Sequence, residues 1–204
     1  MAGNRYAGEG NDTVRVEGAE KLTDEKWLNL FNLAIRKPDG APGKWQVASR
    51  RRQPRSITGD FSRPDAVIIV ALHRETGKLV ITREYRVPLA DYEYGFPAGL
   101  VEAGESMADT AARELQEETG LQMRQVLKTS PPIFSSAGMT DESVAMVFVE
   151  CEGRPLEEGG VGSEQIEVQL VSRAEAGRLC ENEALKFDAK AWLVISTFAR
   201  YGEI

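Results

Sequence analysis

Apolar and polar positions along the chain predict a mixture of strands and helices. The continuous apolar run Ala66–Leu72 is typical of a strand buried on both faces. A turn at Glu75–Gly77 and a returning strand from Leu79 to Tyr85 follow it, which is the pattern of a hairpin. Further strands are expected at 92–96, 125–129, 144–151 and 165–171, and two closing helices at 174–180 and 184–201. We therefore predict an α+β fold in which helices pack on a sheet.

The chain before residue 63 is predicted to form a separate antiparallel β element. A strand from Trp27 to Ile35 ends at the turn residues 38–40, and a second strand runs from Lys44 to Arg51. Because a turn rich in proline and glycine joins them, these strands are expected to form a hairpin. The predicted organisation is a disordered tail at 1–12, an N-terminal β subdomain at 13–62 with a polar linker at 53–63, and a main domain at 63–204.

After residue 105, the spacing of the apolar residues becomes that of an α-helix. An apolar stripe recurs at i, i+3, i+4 and i+7, formed by Ala108, Ala111, Ala112 and Leu115. Ser106 and Asp109 have the spacing of a capping box, in which each side chain satisfies a backbone N–H of the other residue. Gly120 suits the C-terminal cap, where the backbone turns left-handed. We predict a helix that begins after Ser106 and ends at Gly120.

Three glutamates share one side of this predicted helix. Glu114, Glu117 and Glu118 stand at i, i+3 and i+4, where like charges destabilise a helix by about 0.2–0.5 kcal/mol per pair. A compensating cation would relieve the repulsion, and oxygen ligands suit Mg²⁺ or Mn²⁺ better than zinc. Arg113 lies four residues before Glu117 and could orient a carboxylate. The alternative is an acidic face that simply contacts solvent.

Composition and charge narrow the classes of partner. The 204 residues include 25 lysines and arginines against 32 acidic residues, a net charge of −7, which disfavours general binding to nucleic acid or to an anionic membrane. The two cysteines, Cys151 and Cys180, lack metal-type spacing and are expected to be reduced. No apolar run approaches about 18 residues, and the polar start does not resemble a signal peptide. We expect a cytoplasmic protein.

The acidic helix is part of a longer motif. Residues Gly99 to Leu121 read G-x5-E-x7-R-E-U-x-E-E-x-G-U, where U is apolar. This string resembles the Nudix box, and every specified position is filled. The resemblance implies an α/β/α Nudix sandwich with a mixed sheet. It also implies hydrolysis of a nucleoside diphosphate linked to another moiety, with Mg²⁺, or Mn²⁺ in its place, as the cofactor.

The same resemblance assigns expected roles to residues of the box. Glu114, Glu117, Glu118 and the backbone carbonyl of Ala98 would hold the metal. Glu105 would act behind these ligands or through water, and Arg113 would brace the carboxylates. For the general base, the resemblance points to the loop before the strand at 165–171, where we choose Glu164 with Glu157 and Glu158 as alternatives. The other interpretation of this loop is a merely hydrophilic segment.

Residues outside the box bear on the substrate. The stretches Ile81–Pro88 and Gly95–Leu100 resemble the ADP-ribose pyrophosphatase branch, in which the arginine matched by Arg86 contacts phosphate. The match departs at Glu84, where glutamine is usual, and at Val87. Ala137 stands where enzymes acting on ADP-ribose typically carry proline. ADP-ribose is therefore one expected substrate, and ADP-glucose, GDP-mannose or another nucleoside diphosphate sugar stays open.

The N-terminal hairpin resembles that of the same branch. In some members, two tryptophans of this hairpin sandwich the purine across a dimer interface, with an arginine nearby. The resemblance therefore implies substrate-binding roles for Trp27, Trp45 and Arg50. It also implies that the protein is a homodimer. Alternatively, the tryptophans pack the hairpin onto the main domain or onto a second subunit.

His73, the single histidine, is expected to face solvent. A different class of function is a non-catalytic sensor of nucleotide sugars, whose box glutamates are usually lost; here all are present.

Overall fold

The computed structural model describes residues 13–156, the backbone of residues 158–159, and residues 166–204. Contacts between residues divide the chain into two units. The smaller unit combines the described residues up to Arg63 with the segment Phe134–Ser143, and the larger combines Pro64–Ile133 with Val144–Ile204. The predicted tail at 1–12 lies outside the described residues. The proposed domain boundary after residue 62 stays a prediction.

The smaller unit is built on a three-stranded antiparallel sheet. Its strands are β1 (Arg15–Lys21), β2 (Asn29–Arg36) and β3 (Pro42–Ser49), in the order β1-β2-β3. The β2–β3 hairpin was predicted, whereas β1 was missed because its residues are mostly polar and exposed and show no alternation. Phe31, Leu33 and Val47 form the small core on one face.

The segment predicted as a polar linker contains a buried arginine. A short helix, α1 (Arg55–Thr58), begins in it, and Arg55 is fully buried. Its guanidinium donates to the carbonyl oxygens of Asp60 at 2.6 Å and Arg63 at 2.9 Å, and to the hydroxyl of Ser143 at 2.9 Å. The fold accommodates this buried guanidinium because backbone carbonyls and a hydroxyl replace water around it.

The larger unit contains a mixed sheet. Its strands are β4 (Ala66–His73), β5 (Lys78–Arg86), β6 (Asp91–Gly95), β7 (Ala98–Leu100), β8 (Gln122–Thr129), β9 (Ile133–Phe134), β10 (Ser143–Glu152), β11 (Glu158–Gly159), β12 (Ile166–Val171) and β13 (Lys186–Phe187). The central order is β11-β12-β5-β4-β10-β8. Strands β4 and β10 are parallel, while β5 is antiparallel to its neighbours β4, β6 and β12.

Helices cover both faces of this sheet. Alternate residues of β4 point to opposite faces, so that Val67 and Ile69 pack with Leu115 of α2 (Met107–Thr119). Ile68 and Val70 belong to the opposite cluster, which also includes residues of α3 (Arg173–Glu181) and α4 (Ala189–Tyr201). The predicted α/β/α sandwich is confirmed. Among the described residues, no helix combines the length and apolar character needed to cross a bilayer.

The last helix begins later than the sequence pattern suggested. The Asp188 carboxylate accepts hydrogen bonds from the backbone N–H groups of Lys190 at 2.9 Å and Ala191 at 3.1 Å, which caps the first turn of α4. Residues Lys186–Phe187 just before it pair in parallel with β6. The predicted start at residue 184 is therefore wrong, because the cap and this strand pairing set the boundary.

His73 is buried, so the prediction that it faces solvent is wrong. Only 3% of its surface is exposed. Its Nδ1 lies 3.0 Å from Thr76 Oγ1 and its Nε2 lies 2.9 Å from the carbonyl oxygen of Gly153. Both ring nitrogens are thus engaged, which ties the β4–β5 turn to the residue after β10 and explains how the sheet tolerates a buried imidazole.

Candidate active site

Helix α2 is fixed at both ends by its own sequence. Ser106 Oγ accepts from the Asp109 N–H at 3.2 Å, and Asp109 Oδ2 accepts from the Ser106 N–H at 3.2 Å. At the other end, Gly120 adopts φ of 72° and its N–H donates to the Gln116 carbonyl. The predicted capping box and glycine cap are both present. The acidic side chains of α2 therefore project from a helix with defined ends.

Arg113 lies at the centre of the acidic residues of the box. Its Nε and Nη2 donate to the two oxygens of Glu105 at 2.9 and 3.0 Å, a bidentate pair. Its Nη1 donates to Glu114 Oε1 at 2.8 Å and to Glu117 Oε2 at 3.3 Å. One guanidinium thus contacts three carboxylates, and its planar set of donors suits that geometry. This contact offsets the repulsion expected on the acidic face.

The charges in this network stabilise one another. Hydrogen bonds from Arg113 and then from Thr110 lower the pKa of Glu105 from 4.5 to about 2. The Thr110 hydroxyl donates to Glu105 Oε2 at 2.8 Å. The pKa of Arg113 is raised, first by its hydrogen bonds to Glu105 and then by Glu114. Glu105 and Arg113 therefore stay ionised at neutral pH.

The backbone of β7 lies directly against the box glutamates. A Cβ on Gly99 would lie 1.8 Å from Glu114 Oε1 and 1.9 Å from its Cδ, so that only glycine fits here without moving Glu114. Beside it, the Ala98 N–H donates to Glu118 Oε2 at 3.1 Å, and Glu118 is 9% exposed. The Ala98–Gly99 backbone thus adjoins two of the predicted metal ligands.

The donor set suits a hard divalent ion. Glu114, Glu117 and Glu118 offer only oxygen atoms, as Mg²⁺ and Mn²⁺ prefer. Within the described residues, no three side chains of ligating type surround a common point. Two of the glutamates instead contact Arg113. Binding an ion would therefore require these carboxylates to share their oxygens with Arg113 or to turn away from it.

Arg86 is held by acidic neighbours on the sheet of the larger unit. Its Nη1 lies 2.8 Å from Glu84 Oε1 and its Nε lies 3.4 Å from Glu93 Oε2. About half of its side chain is exposed, so the guanidinium is available to an anionic ligand. Glu84 and Glu93 were not identified from the sequence as functional candidates. Their position opposite each other in the β5–β6 register follows from strand pairing, which the sequence alone does not give.

The remaining predicted residues lie in the smaller unit or outside the described residues. Trp27 and Trp45 are 63% and 52% exposed, and Trp45 Nε1 donates to the Gly138 carbonyl at 3.3 Å. Arg50 pairs with Glu142 at 2.5 Å. Glu164 and Glu157 are outside the described residues, and only the backbone of Glu158 is described.

Ala137 lines an apolar hollow of about 360 Å³ in the smaller unit. Trp45, Phe61 and Phe134 line the same hollow, and the two phenylalanine rings meet edge to face with centroids 6.1 Å apart. The sequence pattern singles out Ala137 and Trp45 but not the two phenylalanines, because nothing in their local pattern distinguishes them from core residues.

Comparison with known proteins agrees with this fold and this motif. The model of the NUDIX domain family matches residues 62–193. A Caenorhabditis elegans protein named as a nudix hydrolase is 32% identical over 189 residues, covering 89% of this chain and 81% of that protein. An ADP-ribose pyrophosphatase of Bacillus subtilis is 30% identical over 176 residues, covering 84% of each. A solved structure of an ADP compounds hydrolase shares the fold, with a TM-score of 0.69 and 19% identity, covering 95% of this chain and 97% of that one.

A layered α/β/α sandwich that carries a complete acidic box on its first long helix defines a class of hydrolases. The chain belongs to the Nudix family. It is a Nudix pyrophosphatase related to ADP-ribose pyrophosphatases, so the predicted family, fold and enzyme class are confirmed. Members of this family generally use divalent metal ions.

Proposed function

We propose that this protein hydrolyses the diphosphate linkage of ADP-ribose or a related nucleoside diphosphate sugar and releases a nucleoside monophosphate and a sugar phosphate. The observation that carries the proposal is the set of carboxylates around Arg113 on α2. The similarity to ADP-ribose pyrophosphatases supports the choice of substrate. ADP-glucose and GDP-mannose stay within the proposed class because Ala137 replaces the proline typical of enzymes acting on ADP-ribose.

The proposed cofactor is Mg²⁺, with Mn²⁺ as a possible substitute. Glu114, Glu117, Glu118 and the Ala98 carbonyl would hold it, since all four offer oxygen atoms. The chemistry that such an ion supplies is neutralisation of the diphosphate charge and acidification of a water molecule. Arg113 would keep the carboxylates oriented, with Glu105 fixing Arg113 from the far side. Positioning and charge neutralisation, rather than covalent help, are the main contributions a protein makes to such a reaction.

Other residues are proposed to bind the rest of the substrate. Arg86 would contact phosphate, because its guanidinium is half exposed and is held in place by two carboxylates. Trp27 and Trp45 would stack on the base, and such stacking is worth about 1–3 kcal/mol per base. Arg50 would assist near the base. Glu164 would act as the general base that accepts a proton from the attacking water.

We also propose a homodimer and a cytoplasmic location. A three-stranded sheet is close to the smallest that is stable by itself, and Trp27 and Leu28 expose apolar surface in this unit of the kind that marks protein interfaces. Both cysteines are free thiols, as expected in a reducing compartment. Gel filtration coupled to light scattering would test the dimer: a mass near 45 kDa, about twice the 22.5 kDa of one chain, supports it, and 22.5 kDa contradicts it.

A substrate panel tests the proposed function most simply. ADP-ribose, ADP-glucose, GDP-mannose and a dinucleotide would each be incubated with the full chain and MgCl₂, and the phosphate-containing products identified. The proposal expects AMP or GMP together with a sugar phosphate, and no product when EDTA replaces MgCl₂. Binding of these compounds without turnover would instead favour the sensor, and turnover restricted to nucleoside triphosphates would reject the proposed substrate class.

A further inference from the structure

A small polar recess lies on the sheet of the larger unit, between β5 and β6. Side chains two residues apart on a strand share a face, so Thr82, Glu84 and Arg86 line up along β5. In the β5–β6 register, Thr82 stands opposite Gly95 and Glu84 stands opposite Glu93. These residues line the recess together with Ile68, Phe96, Ala98 and Asp188.

The size of the recess limits what it can hold. It encloses about 60 Å³, which is room for a few non-hydrogen atoms by comparison with a buried water. Neither a nucleobase nor a whole hexose fits in that volume. A hydroxyl group with the carbon that bears it does, so the recess is suited to one edge of a larger ligand whose remainder stays outside.

The Thr82 hydroxyl points into this recess. Thr82 is 3% exposed, and among the described residues its hydroxyl has no hydrogen-bond partner. Its oxygen is accessible from the recess and can therefore hydrogen-bond to whatever occupies that space. Its Oγ1 would lie 3.7 Å from a Cβ on Gly95, so it faces the glycine across the recess. A ligand hydroxyl in the recess could hydrogen-bond to Thr82 Oγ1 in place of water.

The rim of the recess is rich in hydrogen-bond acceptors. Glu84 and Glu93 both contact Arg86, and an ionised carboxylate can accept more than one hydrogen bond. The Asp188 carboxylate also lines the recess, but it already accepts hydrogen bonds from the backbone N–H groups of Lys190 and Ala191 and from Lys190 Nζ, so the rim acceptors considered for a ligand are Glu84 and Glu93. Carboxylates accept hydrogen bonds from hydroxyl groups, so this rim suits a sugar with several hydroxyls and does not suit an apolar group.

The recess adjoins the candidate active site through Ala98. Ala98 lines the recess, and its N–H donates to Glu118 of the box. Arg86, which is proposed to contact phosphate, lies on the rim. A diphosphate bound at the box would therefore place one of its substituents at the mouth of this recess.

Gly95 keeps the recess open. A Cβ built on Gly95 meets no atom closer than the 3.7 Å contact with Thr82 Oγ1, so a larger side chain would extend into the recess without a backbone clash. Gly95 closes β6 and its φ lies outside the left-handed region. Backbone conformation therefore does not require glycine here, and a β-branched residue would be favourable in a strand.

We infer that the recess binds a hydroxyl-bearing edge of the sugar attached to the diphosphate, with Thr82 as a hydrogen-bonding residue and Gly95 as the residue that determines specificity. This inference rests on the proposed function, because it assigns one part of the substrate to a subsite beside the box. It also sets a size limit on the substrate. A sugar is accepted only if one of its hydroxyl groups, with the carbon that bears it, enters the recess next to Ala98.

Binding measurements on Gly95→Val and Thr82→Val test the inference without requiring turnover. The probes are α,β-methylene ADP-ribose, which cannot be hydrolysed at the bridge, and α,β-methylene ADP, which lacks the sugar. Titration calorimetry in MgCl₂ gives a Kd for each. Gly95→Val is expected to raise the Kd for the sugar-bearing probe about tenfold or more, as a filled pocket does. Thr82→Val, which keeps the shape and removes the hydroxyl, is expected to raise it about three- to tenfold.

The sugar-free probe and a matched glycine variant serve as controls. The Kd of α,β-methylene ADP should change by less than about twofold in both variants, since neither touches the rest of the ligand. Gly18→Val adds the same side chain to a strand glycine with nothing within 4 Å of its Cβ, and should leave both Kd values unchanged.

The outcomes separate this inference from the proposed function. Selective weakening of the sugar-bearing probe supports the recess. Equal weakening of both probes, no weakening of either, or no binding of the sugar-bearing probe to the unaltered protein overturns it. If the selective pattern is found but ADP-ribose and other nucleotide sugars are not hydrolysed, the proposed function fails while the sugar subsite stands.

Discussion

At the scale of single residues, Arg113 shows how a repelling set of carboxylates can be held together. Three glutamates contact its guanidinium, and the bidentate contact with Glu105 uses two donors at once. The sequence gives the spacing of Arg113 and Glu117 on one helix face. It does not show that Glu105, which precedes the helix, forms the bidentate contact with Arg113. That contact depends on the path of the loop before the helix.

The lowered pKa of Glu105 makes the stability of the fold dependent on pH. Its pKa falls from 4.5 to about 2 in the folded chain, so its contribution is fully present above pH 4.5 and is lost as the pH falls towards 2. Urea denaturation in metal-free buffer should show Glu105→Gln to be less stable than the unaltered protein at pH 7. The difference should shrink at pH 3.5. A difference that is constant or grows on acidification would contradict this role.

Gly99 is expected to matter for activity more than for stability. A Cβ there collides with the carboxylate of Glu114, which is the flexible end of a side chain and can move away. Gly99→Ala should therefore lower the free energy of unfolding by no more than about 3 kcal/mol, the upper end of the usual cost of overpacking. It should lower kcat/KM at least about tenfold. Gly177→Ala, with nothing within 4 Å of its Cβ, is the control and should keep full activity. Full activity of Gly99→Ala would remove the requirement for this close approach.

The proposed general base is tested by removing its charge alone. Glu164→Gln should lower kcat about 10²-fold or more, since general-base catalysis contributes about 10²–10⁴-fold. Glu157→Gln is the comparison, because both residues belong to the same acidic stretch. Steady-state assays with ADP-ribose give the values. A loss below about threefold for Glu164→Gln would reject the assignment.

At the scale of elements, α2 was predictable to the residue because both of its ends are encoded locally. The capping box at Ser106 and the left-handed Gly120 depend only on neighbouring residues. Strand β1 and the start of α4 were not predictable in this way. The former is a mostly exposed edge strand, and the latter depends on the pairing of β13 with β6, which is a contact distant in sequence.

The two capping boxes provide a matched pair of variants. Ser106→Ala removes the cap of α2 and Ser172→Ala removes that of α3, where the same reciprocal hydrogen bonds occur. Each should lower the free energy of unfolding by about 0.5–2 kcal/mol. Only Ser106→Ala should also raise the Mg²⁺ concentration needed for half-maximal activity, because only α2 carries the box glutamates. Equal Mg²⁺ dependence in both variants would show that the cap does not orient the site.

At the scale of the whole molecule, the layered fold followed from the sequence while the substrate did not. The apolar run of β4 predicts burial on both faces, and helices do cover both. The proposed choice of substrate depends on side chains that meet only through strand pairing, such as Thr82 with Gly95, and on Glu164, which lies outside the described residues. A single sequence gives the residue types in these places but not their proximity, so the nucleotide sugar must be found by assay.

The glutamates of α2 are proposed to bind a divalent ion at the place where a diphosphate would meet it. Titration of the protein with Mn²⁺, followed by electron paramagnetic resonance of the free ion, measures that binding directly. We expect Glu118→Gln to weaken Mn²⁺ binding at least about tenfold, because losing even a residue that only supports a metal ligand costs about 10–100-fold, while circular dichroism shows an intact fold. Glu181→Gln, at the end of α3, should bind Mn²⁺ normally. Equal Mn²⁺ affinity in the unaltered protein and in Glu118→Gln would contradict the claim.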